Sequence, residues 1–209
     1  MNTIVRCLSL TVTLVVLMIS ATGSAQDNAR LRIDLSGFNE VHAPTLGIGP
    51  PPSLNAGNGA IFSTGNGQLT LKINKQIREI AYELTYEFPN AADTPVVGTQ
   101  FVNQAHFHFG QKHTTGAINV WLCQSLDNPA PAAVAPATPV CPSPSGTVAG
   151  RITPAMVLAV PGQGFPGGEA GFDALLAALQ SNAIYGNVHT DRFPGGEIRG
   201  QVGDDHDHD

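Results

Sequence analysis

Residues 184–202 read IYGNVHTDRFPGGEIRGQV, and this stretch has the pattern of a β-hairpin. Residues 184–190 hold Ile, Tyr and Val in an extended-type run, and residues 197–202 alternate polar and apolar. Between them lies DRFPGG, residues 191–196. The proline fixes φ there, and the two glycines are free to take positive φ. Alternation places Glu197, Arg199 and Gln201 on one face and Ile198, Gly200 and Val202 on the other. His189 stands just before the turn.

The same period of two recurs upstream. Leu31, Ile33 and Leu35 alternate with Arg32 and Asp34, as in a half-buried first strand. Residues 59–64 read as a short strand. Residues 68–73 follow with Leu69, Leu71 and Ile73 inward, and residues 77–88 read as the longest strand, with Ile80, Tyr82, Leu84, Tyr86 and Phe88 on one face. Together these predict an antiparallel meander. Residues 101–109 and 117–124 predict two more strands, the second with Ile118, Val120 and Leu122 opposed to Asn119, Trp121 and Cys123. Residues 146–152 predict another. Phe172, Leu175, Leu176 and Leu179 fall at i, i+3, i+4 and i+7, so residues 172–181 predict the one helix, a lid on the end of the sheet. The expected architecture is all-β: an antiparallel β-sandwich or flattened Greek-key-like barrel, with one short helix near the C-terminal hairpin.

Composition agrees with that class. The 209 residues are 42% hydrophobic but only 12% charged, with 23 Gly and 16 Pro, which favours turn-rich β structure over a helical bundle. The formal charge is −6 and the cations are dispersed, so neither nucleic acid nor an anionic membrane surface is an expected partner. Residues 1–25 read as a signal peptide: Arg6 precedes an apolar run at residues 8–19, and Gly23-Ser24-Ala25 offers a cleavage site. The alternative is a retained N-terminal anchor. No later run could span a bilayer. A secreted or periplasmic mature chain, a single domain over residues 26–202 with a tail at 203–209, is expected. Cleavage removes Cys7 and leaves Cys123 and Cys141, an even pair that reads as one disulfide in an exported chain. Two free thiols would require a reducing compartment. The enclosed residues 125–145 are rich in Pro and Ala and read as an extended, partly mobile loop.

Three strings together resemble the CHRD domain, a module named after chordin and found in many bacterial secreted proteins. Residues 185–201, YGNVHTDRFPGGEIRGQ, resemble its closing signature. Residues 105–110, AHFHFG, resemble its histidine-bearing strand, and residues 35–44, LSGFNEVHAP, its opening. The resemblance spans residues 31–202. It implies an extracellular or periplasmic binding or structural module, with a protein or small ligand it does not identify.

His106 and His108 are the sharpest chemical feature. Two apart on a strand, they share a face, and Phe107 and Phe109 share the other. Paired imidazoles suit Cu²⁺ or Zn²⁺, and a third ligand is needed. His189 is the natural candidate, with His42 and His113 further off. The alternative is a polar seam, with the three rings bonded to backbone groups and to Glu197 or Asn187. Arg199, sharing a face with Glu197, is expected to fasten the hairpin to the histidine-bearing strand, a structural role for both. His206 and His208 lie among four aspartates in the tail, a weak divalent-ion tract or a solvated terminus. No nucleophile elbow, P-loop, dinucleotide fingerprint or H-E-x-x-H motif is present, and nothing pairs Glu169 with Asp173 as acid and base. A non-enzymatic binding module is therefore the first expectation, and a copper or zinc protein for metal handling or redox chemistry the second.

Overall fold

The computed structural model describes residues 28–41, 59–89 and 101–203. Residues 1–25, expected to be a leader, His42 and the tail histidines lie outside these residues. Among the described residues, eight strands form one antiparallel sheet: β1 Asn28–Ser36, β2 Asn66–Asn74, β3 Glu79–Glu87, β4 Val102–Phe109, β5 Ala117–Cys123, β6 Gly146–Ile152, β7 Ile184–Thr190 and β8 Ile198–Gln201. Their spatial order is β5-β4-β7-β8-β1-β2-β3-β6. The sheet curls into a nearly closed barrel, bringing β5 and β6 together at its two ends. Tyr82 Oη donates to the Leu122 carbonyl across that seam at 2.6 Å, and Leu158 N donates to the Asn119 carbonyl at 2.8 Å. The expected all-β fold is present in its barrel form.

The meander is β1-β2-β3, paired without interruption from Asn28↔Asn74 to Ser36↔Asn66 and from Asn66↔Glu87 to Asn74↔Glu79. Its inward residues are those the alternation selects: Ile33, Leu35, Leu69, Leu71, Ile73, Ile80, Leu84 and Tyr86 are all buried. Each such side chain contributes roughly 1.5–3 kcal/mol by leaving water. The β7-β8 hairpin also forms, from Tyr185↔Gln201 to Val188↔Ile198.

Four expectations need correction. Residues 60–64 form no strand. Their polar groups go elsewhere: Ile61 N donates to Gly37 O at 2.8 Å, and Ser63 Oγ accepts from Gly65 N at 2.9 Å. Residues 125–145 are not extended. The Gln124 carboxamide gathers the loop, donating to Ala135 O (2.9 Å) and Thr138 O (2.6 Å) and accepting from Ala130 N (2.9 Å). A Cys123–Cys141 disulfide closes it, as the paired cysteines predict. Third, Ile118 does not share a face with Val120 and Leu122. A register shift opposite Asn119, between Phe107↔Val120 and His108↔Ile118, moves Ile118 to Trp121's side, where the two belong to a second small cluster with Ala130 and Val134.

Finally, the helix α1, Gly168–Gln180, starts a turn earlier than its apolar stripe, with Glu169 in the first turn. Phe172, Leu175 and Leu179 are buried as the stripe predicts. Glu169 and Asp173 both pair with Arg78 of the β2–β3 turn, at 2.9 and 2.8 Å, and clamp the helix to that end of the barrel.

Candidate metal centre

β7 is buried on both faces along its whole length. Its inner residues Ile184 and Val188 join the core. Its outer residues Tyr185, Asn187 and His189 are also covered, at 3%, 3% and 6% exposure. The reason lies in the register. His106 of β4 pairs with Asn187 and His108 with Tyr185, while Asn187 pairs with Arg199 and Tyr185 with Gln201 of β8. On the other side His106 pairs with Trp121 of β5. Paired residues share a face, so four adjacent strands stack a polar and aromatic layer on the outside of the barrel.

The three histidines predicted as ligands meet in this layer. Their ring centroids are separated by 5.5 Å (His106–His108), 4.9 Å (His106–His189) and 6.0 Å (His108–His189). One nitrogen from each can be chosen so that all three lie within 4.8 Å of one another. His189 reaches His106 diagonally, past Asn187, because it lies two residues further along β7.

Hydrogen bonds fix the tautomers. His108 Nδ1 lies 2.8 Å from the Gly116 carbonyl, and His189 Nδ1 lies 2.9 Å from the Pro194 carbonyl. A carbonyl only accepts, so both Nδ1 atoms carry the proton, and in the neutral rings Nε2 is left with its lone pair. Backbone groups that hold one imidazole nitrogen and orient the other are the usual support of metal-bound histidine. His189 Nε2 also lies 3.0 Å from Asn187 Oδ1; with the amide turned end for end, its N–H would donate to the Nε2 lone pair. Gly196, at φ 121°, lets the β7–β8 turn lie against this amide, where a Cβ would collide with both Asn187 and Glu40.

His106 differs from the other two. It is wholly buried, and neither ring nitrogen has a hydrogen-bond partner; His108 Nε2 has none either. Orphaned nitrogens of this kind cost about 1–3 kcal/mol each when nothing occupies the site they face. Burial draws the His106 imidazole well below its ordinary 6.5, helped by His189 and His108. Burial also brings His108 down to about 3, against the pull of the Gly116 carbonyl. Both rings are thus neutral at physiological pH, the form that ligates metal.

The surrounding residues brace the site. The Trp121 ring stands edge-on to His106 at 4.2 Å. Tyr185 stacks on His108 at 4.7 Å with 4° between planes, and the Arg199 guanidinium carbon lies 3.4 Å over Tyr185. Arg199 Nη1 and Nη2 donate to the carbonyls of Thr114 and Gln111 at 2.8 and 3.1 Å, on the β4–β5 loop that also carries Gly116. Glu197 makes no bond to the histidines among those described. Its two oxygens accept from Ser63 Oγ and Thr190 Oγ1, both at 2.6 Å. His113 sits exposed at φ 65° on the β4–β5 loop and is not in the triad. Trp121 and Tyr185 escaped the sequence reading. Tyr185 stands at i−4 from His189, so the period of two could have found it, whereas Trp121 joins His106 only through the β4–β5 register.

A family model described as the CHRD domain matches residues 31–202. No curated protein and no solved structure matches the chain.

Proposed function

The chain belongs to the CHRD domain family, and from that premise we propose that it is an exported, non-enzymatic binding module whose ligand is one copper or zinc ion on His106, His108 and His189. The observation that carries the reading is the convergence of three buried imidazoles, with their nitrogens within 4.8 Å of one another and two of the rings oriented by backbone carbonyls. A purely structural seam would bond each ring nitrogen, yet both nitrogens of His106 lack partners. Export rests on the leader-like residues 1–25 and is compatible with the Cys123–Cys141 disulfide. No helix among the described residues is long and apolar enough to cross a membrane.

Elemental analysis tests the reading. Protein purified without a histidine tag, carrying His206→Ala and His208→Ala to silence the tail, is loaded with copper or zinc and washed. The expected result is one bound ion per chain, lost on adding His106→Ala and His108→Ala while the β-type circular dichroism persists. Metal that stays at the same level in that variant, or none in the parent, overturns it.

A further inference from the structure

We propose that the three-histidine site selects the cuprous ion, Cu(I), over Zn(II) and Cu(II); this deepens the metal-site reading and rests on it. The donor set is the first argument. Among the described residues no carboxylate or thiolate joins the three imidazoles, so the set contributes no negative charge. Imidazole alone accepts copper or zinc. Charge and hydration then decide.

The site is dry. His106 is 0% exposed, His108 7% and His189 6%. Trp121 roofs His106 and is itself packed by Ile118, Ala130, Val134 and Leu158. Moving an ion out of water costs a solvation energy that rises with the square of its charge, so a divalent ion is penalised about fourfold over a monovalent one of equal size. A fixed cation makes this worse: Arg199 lies over Tyr185, which stacks on His108. The Glu40 carboxylate lies beside Gly196, near the Asn187 amide, where it partly offsets Arg199, and it is not a member of the ligand group.

Coordination number points the same way. Zinc seeks four ligands and needs a water or a fourth side chain beside three histidines. A closed-shell cuprous ion is satisfied by three nitrogens: His106 and His108 each offer one without a partner, and His189 Nε2 completes the set by exchanging its contact with Asn187 for the ion.

The test is an anaerobic competition on the full-length exported chain carrying His206→Ala and His208→Ala. Apo-protein is given Cu(I) from its bicinchoninate complex, in the presence of rising Zn(II), and separately Cu(II). The expected result is one Cu(I) per chain, retained against about a hundredfold excess of Zn(II), with a copper absorption edge typical of three-coordinate nitrogen. Tighter binding of Zn(II) or Cu(II) overturns the inference and leaves the metal-site reading standing. Failure to retain any of the three ions overturns both.

Discussion

Arg199 and Tyr185 form a stacked pair, the guanidinium carbon 3.4 Å over the phenol ring that also stacks on His108. Arg199 is 2% exposed and its fork holds the carbonyls of Thr114 and Gln111. It therefore ties β8, β7 and the β4–β5 loop into one unit, and that loop carries the carbonyl that orients His108. Arg199→Ala is expected to cost about 2–4 kcal/mol, from two orphaned carbonyls and the lost stack. Thermal melts should fall by several degrees, and Arg199→Lys should recover only part, because an ammonium cannot span both carbonyls.

Glu197 is fully buried and is satisfied by two hydroxyls rather than a cation. Glu197→Ala strands the Ser63 and Thr190 hydroxyls and should cost about 2–3 kcal/mol. Glu197→Gln keeps one acceptor and should cost about half as much in the same denaturant titration. Equal losses for both variants would contradict the assignment of one oxygen to each hydroxyl.

The Cys123–Cys141 bridge spans 18 residues of sequence and gathers the loop that packs Ala130 and Val134 against Trp121. Replacing both cysteines with serine should lower stability by about 3 kcal/mol through the freed unfolded chain. Trp121 emission should shift to the red as the loop loosens. An unshifted spectrum would mean that the loop holds without its bridge.

Acid should unfold the metal-free protein early. His106 and His108 are neutral in the fold, with His108 held down to about 3, whereas both titrate near 6.5 when unfolded. Below that value the unfolded chain takes up protons that the fold refuses, so stability falls as pH drops from 6.5 toward 3. The loss is on the order of a few kcal/mol. Melting temperature should decline already between pH 6.5 and about 4.5, above the range where carboxylates titrate. A flat profile over that interval would contradict the buried neutral rings.

The barrel was largely legible because most of its strands keep a strict period of two: β1, β2 and β3 place Ile33, Leu69, Leu71, Ile80 and Leu84 inward as written. Two features broke that rule. Register shifts at Asn119 and at Leu122 each add a residue to β5, so Ile118 leaves the core face and Cys123 joins it, and no local residue type announces either. The loop at 125–145 has a disordered-looking composition, but a single glutamine, Gln124, satisfies three of its backbone groups. For the site, the H-x-H spacing placed His106 and His108 on one face. Their meeting with His189 depends on which residue of β7 stands opposite His106, and spacing within one strand carries no such information.

A metal ion held against His106 would have a reporter built into the chain. The chain has one tryptophan, Trp121, whose ring is 4.2 Å from that of His106. In the His206→Ala/His208→Ala background, titration of apo-protein with copper should quench tryptophan emission in a linear fall that breaks at one equivalent. His106→Ala should abolish the break. Emission that stays constant while copper binds, or declines without a break, would place the metal elsewhere and contradict the account.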